Sequence, residues 1–306
     1  MKALYVYQKE RFPIVLNTLL IGVFTGSAML FSQNLREVAE PISWGVFLPG
    51  LAVTFTTFFL LRILDEFKDY EIDKTYRPHL PVHRGVISLS TLRVLGISLW
   101  FLQLFFLFRY LPSLWPMYLL IIGYMALMSV EFFVPKWLES KPLLYVFSHM
   151  IIVPLVDLFA SSLDWSQSQV QAPKGLYILL VVSFLNGCVL EFGRKIKAPE
   201  NEEFNSYSRR YGIPKSIRIW LISMGFTLGA AWIACSWAGY PLLAHLLLSL
   251  IVILALFIGI QFLKNPGIKG SQWIEGVSAL WTLVLYLIVG CYPQLVHLSK
   301  NLISHL

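Results

Sequence analysis

The sequence predicts an all-α integral-membrane protein, a bundle of about nine transmembrane helices, and three observations carry that prediction. Hydrophobic residues make up 57% of the 306-residue chain and charged residues 13%, with a mean hydropathy of +0.68. That lies well outside soluble composition. The apolar residues fall into stretches of roughly 20, the length that crosses a bilayer. The charges also separate by side. With the N-terminus inside and the C-terminus outside, only Arg36, Arg109, Lys174 and Lys300 of the 24 lysines and arginines lie outside, as the positive-inside rule requires.

The spans follow in order. The first, about 12–31, comes after Lys2, Lys9 and Arg11, and the second, about 44–64, opens on Trp44 and runs into an acidic cluster. The third, about 88–108, ends at Arg109; the fourth, about 112–132, carries Trp115 and Pro116. Lys136, Trp137 and Lys141 separate it from the fifth, about 142–160, which contains Pro154. Both prolines are expected to kink their helices. The sixth, about 174–192, runs from Lys174 towards Arg194; the seventh, about 215–236, begins at Lys215. The eighth, about 241–263, ends at Lys264, and the ninth, about 272–292, opens on Trp273.

The chain reads as one domain, 1–306, with no low-complexity segment. The first apolar run is too long for a cleavable signal peptide and lacks a small-residue cleavage site after it. The net charge of +7 is mostly topological, and no nucleic-acid motif accompanies it. Cys188, Cys235 and Cys291 lack metal-ligand spacing and read as small buried hydrophobes.

Two loops on the same face are long and charged, about 62–89 and about 191–215, each following an even-numbered span. The first opens with Asp65-Glu66-Phe67-Lys68-Asp69-Tyr70-Glu71-Ile72-Asp73. In a continuing helix Asp65, Asp69 and Asp73 share one face, with Glu66 one position off and within reach of Asp69. Crowded carboxylates repel unless a cation sits among them, and Mg²⁺ is typically bound by a few carboxylates together with substrate phosphates. A solvated acidic helix end is the alternative. The loop continues through Arg77-Pro78 and Arg84-Gly85, whose guanidiniums suit phosphate oxygens. His79 and His83 have helical spacing, but Pro81 between them argues against a zinc pair.

The acidic run after the second span, followed by Arg-Pro, Pro and Gly, resembles the signature of the UbiA superfamily of intramembrane prenyltransferases. The motif is confined to Asp65 through Gly85, with Asp65 where asparagine is usual and Glu66 where the first aspartate is usual. Arg11-Phe12-Pro13 and Asn17 are similar to that family's entry segment. The resemblance implies two polar cytoplasmic loops capping a central cavity in a multi-pass protein of the cell membrane. It implies Mg²⁺ held by Asp65, Glu66, Asp69 and Asp73, with Asp69, Asp73 and Glu191 as catalytic carboxylates. Asn17, Lys68, Arg77, Arg84, Arg194 and Lys195 would contact the donor. The implied activity is Mg²⁺-dependent transfer of a prenyl group from a prenyl diphosphate to a hydrophobic or aromatic acceptor.

The second loop departs from the pattern. Where the family carries a second aspartate-rich motif, this chain reads Glu191-Phe192-Gly193-Arg194-Lys195-Ile196-Lys197, and only Glu191 fits an acidic position. Glu200, Glu202 and Glu203 follow Pro199 and read as solvated. The basic residues either replace a metal with fixed charge, bind a different phosphorylated lipid, or mark an inactive homologue. Two other functional classes stay open. One is transfer of a sugar phosphate to a polyprenyl phosphate on the same fold. The other is a lipid-binding or transport protein, although paired interrupted helices of the transporter kind are missing.

Polar residues within spans (Asn17, Gln103, His149, Asp157, Asn186, Gln261 and Glu275) are candidates for function or for helix-to-helix hydrogen bonding. Asn17 and Asn186 are expected to face one cavity, and His149 and Asp157 one helix face.

Overall fold

A computed structural model of the protein describes residues 2–38, 42–201 and 206–304, with side chains through residue 296. Glu202, Glu203 and the side chain of Lys300 lie outside the described residues. Among the described residues there are 9 helices long and apolar enough to cross a membrane. They are Ile14–Leu35, Trp44–Lys68, Leu89–Tyr110, Pro112–Ser129, Pro142–Trp165, Leu176–Arg194, Ile213–Trp237, Leu242–Lys264 and Ile268–Val296. They are called the first to ninth spans below.

The spans form a closed bundle. Neighbours in sequence pack in turn, the ninth returns against the first, and the first also packs on the fifth and the sixth on the ninth. The third, fourth and eighth spans are only 17%, 22% and 28% buried along their apolar windows, against 61% for the sixth. Those three are therefore the main lipid-facing helices, and the first, second, sixth and ninth build the interior.

Lipid tails are as apolar as leucine, so close packing and interhelical hydrogen bonds must hold such a bundle together. The buried Gln103 amide of the third span donates to Thr56 and Thr57 of the second (both 3.0 Å) and accepts from Tyr118 of the fourth (2.9 Å). Gly193 of the sixth span lets Ser278 of the ninth approach, and Trp220 of the seventh donates to the same serine at 2.9 Å.

The two prolines behave differently. Pro116 lies in the first turn of its helix, where no N–H is needed, and does not kink it. Pro154 accompanies a break in the fifth span, which runs as Pro142–Met150 and then Ile152–Trp165. The fourth span ends at Ser129, before the expected boundary. Beyond it Glu131, Phe132 and Phe133 all take left-handed φ (49°, 53° and 62°), each a conformation costing about 1 kcal/mol or more for such residues.

A short helix not anticipated from the sequence, Lys2–Arg11, precedes the first span and buries Tyr7. It brings Arg11 alongside the end of the second span.

Candidate functional site

The two charged loops meet around one cavity of about 720 Å³. The second span ends at Lys68, and after Asp69 the chain resumes as the short helix Tyr70–Tyr76. Spacing of the acids survives this break. Asp69 N–H donates to the Asp65 carbonyl at 2.9 Å, and Asp73 N–H to that of Asp69 at 2.8 Å.

Their side chains diverge. Asp65 and Asp69 line the cavity, whereas Glu66 and Asp73, each 2% exposed, do not. Glu66 Oε1 accepts from Arg11 Nε at 2.6 Å and lies 3.5 Å from Arg62, so its carboxylate is taken up by arginines and does not join Asp69 in the cavity lining. Arg77 Nη1 reaches Asp73 Oδ1 at 3.3 Å. The four acids thus divide into two that face the cavity and two buried as counter-ions. Among the described residues no three His, Cys, Asp or Glu side chains gather in metal-binding geometry.

Asp65 is loosely held, 3.7 Å from Arg62 and 3.9 Å from Lys68. Asp69 makes no ion pair of 4.0 Å or less among the described residues. Burial raises its carboxyl above the usual range; Lys68 opposes that shift, and Asp65 and Asp73 add to it.

The facing wall is basic. Arg194, Lys195, Lys197 and Arg209 line it, with Ser206 and Asn201 among them, while Arg11, Arg62 and Arg77 line the acidic side. Glu191, the acid of the second loop, is clamped by Arg194 Nη2 and Lys195 Nζ, both at 2.6 Å. The loop then folds back onto the short helix Tyr207–Tyr211: Tyr207 N–H donates to the Lys195 carbonyl and Lys197 N–H to Ser208 Oγ. This fold-back carries Arg209 to the cavity. Arg11 Nη2 and Arg62 Nε are buried without hydrogen-bond partners among the described residues. Such donors suit an anionic ligand.

The remaining expected contacts lie elsewhere. Lys68 Nζ turns to Tyr145 Oη (2.8 Å) and Glu131 (3.2 Å), and His149 Nε2 is 3.3 Å from the same carboxylate. This cluster ties the left-handed turn to the end of the second span. Burial works against ionisation of Glu131, but His149 and Lys68 outweigh it and bring its pKa down to about 2. Arg84 pairs with Glu10 at 2.8 Å, outside the cavity lining.

Asn17 donates to the Pro13 carbonyl, and Asn186 accepts from Thr282; neither lines the cavity. Asp157 receives the Tyr286 hydroxyl at 3.3 Å, and so belongs to a different hydrogen-bonded group from His149. Gln261 and Glu275 are exposed, and Glu275 lies 3.7 Å from Lys197. Arg11 carried a sequence signal in its Arg-Phe-Pro segment. Arg62 carried none beyond membrane-face charge, because its role depends on loops distant in the chain.

The cavity suits a hard cation with a polyanion. Mg²⁺ needs only one or two carboxylates when phosphate oxygens and waters complete its shell, and Asp65 and Asp69 face the same space as the basic wall. Among the described residues that line this cavity Leu80 is the one aliphatic side chain, beside Tyr76, so the lining is polar and not of the kind that would hold a hydrocarbon tail.

No protein-family model and no curated protein matches the sequence. Solved structures do. One, from work on a digeranylgeranylglyceryl phosphate synthase in membranes, matches with a TM-score of 0.61 and 18% identity, over 95% of this chain and 99% of that one. Another, the apo structure of a UbiA homologue from Aeropyrum pernix K1, matches with a TM-score of 0.63 and 12% identity, over 89% of this chain and 95% of that one. At such identities the likeness is one of fold, and over nearly its whole length the protein has a UbiA-like transmembrane fold.

Proposed function

We propose that the protein is an intramembrane transferase that binds the diphosphate of a prenyl diphosphate in this cavity and passes the prenyl group to a lipophilic acceptor. The observation that carries the proposal is the opposition of Asp65 and Asp69 to a wall of arginines and lysines across one cavity. The UbiA-like fold and the resemblance of the segment from Asp65 to Gly85 support it. The charge bias supports a cytoplasmic face for the cavity.

In this reading Asp65 and Asp69 hold Mg²⁺, which when bound helps neutralise the departing diphosphate. Arg11, Arg62, Arg194 and Lys195 hold the phosphate oxygens and stabilise the charge that grows on them as the allylic C–O bond breaks. The acceptor's nucleophilic atom forms the new bond to that carbon and loses its proton, and diphosphate leaves. Glu191 is a positioning residue: it touches no cavity space of its own but fixes Arg194 and Lys195. Those two cations stand where the family pattern has its second acidic motif; with Glu191 between them they carry one net positive charge, and together with Lys197 and Arg209 they face the diphosphate in place of a second metal ion.

The test is donor binding by purified protein in lipid, with and without Mg²⁺, across a panel of prenyl diphosphates, followed by diphosphate release when acceptors are added. Mg²⁺-dependent binding and acceptor-dependent release are expected; no binding to any prenyl diphosphate would overturn the reading. Arg194→Gln should weaken donor binding about tenfold, the scale of one charge-assisted hydrogen bond. Unchanged affinity would remove Arg194 from the donor site.

The pH dependence has a definite sign. Mg²⁺ binds the ionised form of Asp69, whose pKa is raised, so binding must displace a proton below that pKa and is insensitive to pH above it. Donor binding should therefore fall on acidification, and added Mg²⁺ should move the midpoint to lower pH. The Lys68–Glu131 tie does not account for that loss. A depressed Glu131 pKa contributes stability that is present above the ordinary glutamate pKa and disappears only as pH falls towards about 2. A midpoint that ignores Mg²⁺ concentration would contradict the assignment of Asp69.

A further inference from the structure

A second concavity, of about 740 Å³, lies between the eighth and ninth spans near the short turn that joins them. Its floor is apolar and open to lipid, with Phe257, Ile258 and Trp273 among its lining residues. Lys264, Lys269 and Gln261 line its polar side. Both lysines are exposed, and neither has an ion-pair partner within 4.0 Å among the described residues. The joining turn follows an even number of spans, so these lysines belong to the same membrane face as the two charged loops.

From this arrangement we infer a binding site for an anionic phospholipid, its phosphate held by Lys264 and Lys269 and one acyl chain laid along Phe257 and Ile258. The charge of the lining selects the occupant. Among the described residues no acidic side chain lines the groove to receive a choline or ethanolamine head, whereas two ammonium groups without ion-pair partners match a headgroup of net negative charge. Trp273, 66% exposed near the start of the ninth span, supplies an amphipathic ring of the kind that favours a membrane–water boundary. The ninth span also links this groove to the first cavity: Trp273 lines the groove, and Glu275, two residues further on, lies 3.7 Å from Lys197, which lines that cavity. A lipid seated here would brace the helix that carries Glu275.

The inference does not rest on prenyl transfer, and its test needs neither donor nor metal. Full-length protein is extracted from bilayers of equal dioleoylphosphatidylglycerol and dioleoylphosphatidylcholine, and the retained lipids are counted by native mass spectrometry. Phosphatidylglycerol should be retained in preference. Each of Lys264→Gln and Lys269→Gln should reduce that preference about fivefold, the scale of one lysine at an anionic surface. Lys264→Arg with Lys269→Arg should keep it, which separates loss of charge from damage to the helix pair. Equal retention of the two lipids by the wild type would overturn the inference, as would an unchanged preference in the double glutamine variant.

Discussion

Asp69→Asn is expected to abolish Mg²⁺-dependent donor binding and to lower prenyl transfer by about a hundredfold or more, the scale of losing a main electrostatic contributor at a leaving group. The side chain faces the cavity, is half-buried, and has no ion-pair partner among the described residues. Asparagine keeps its volume and one oxygen and removes only the charge, so the fold should be unaffected. Asp73→Asn provides the contrast. Asp73 is buried against Arg77 and lies outside the cavity lining, so it acts through the position of that arginine. Its Mg²⁺ affinity should stay near wild type while donor affinity falls. Isothermal titration of Mg²⁺ in the presence of a non-hydrolysable prenyl diphosphate analogue reads both quantities. Wild-type Mg²⁺ affinity in Asp69→Asn would remove the metal from this carboxylate.

Gly290→Ala should be the most damaging of the small substitutions in the bundle. A methyl group there would overlap the main chain of Ser27 as well as its hydroxyl, so the clash cannot be relieved by a rotamer change. Two hydrogen bonds close the same contact. Ser27 Oγ donates to the Tyr286 carbonyl at 2.6 Å, and Asn34 Nδ2 to the Gly290 carbonyl at 3.0 Å. The first and ninth spans, which close the bundle, would have to separate, at a cost of about 3 kcal/mol or more by analogy with overpacked cores. A large fall in thermal midpoint and loss of monodispersity in detergent are expected. Gly225→Ala, where an added methyl meets nothing within 4 Å, is the control and should be neutral. Equal stability of the two variants would mean that the first and ninth spans do not pack this closely.

The spans were legible because crossing a bilayer is a local demand. A run of roughly 20 apolar residues meets it regardless of what packs alongside. Proline effects were less legible, since the same residue is harmless at the start of a span and disruptive where a helix is already running: Pro116 lies near the start of its span, whereas Pro154 follows the helix Pro142–Met150. The acidic run and the Arg-Pro segment after it were visible as chemistry, and so was the basic second loop. What could not be read was how the acids are shared out. Glu66 is taken up by Arg11 across 55 residues of sequence, and Lys68 leaves the cavity for Glu131 and Tyr145.

Hydropathy and charge act over short stretches of chain, so an all-helical membrane bundle, its spans, and a concentration of acids and bases on one face could be read from the residues in order. It is the packing of distant helices that turns Asp65 and Asp69 to the cavity while Glu66 and Asp73 serve as buried counter-ions, and that gathers Arg11, Arg62 and Arg209 with Arg194 and Lys195 around it. A charge in a bundle of low polarity takes the nearest opposite charge in space. Which charge is nearest depends on how helices far apart in the chain are packed together.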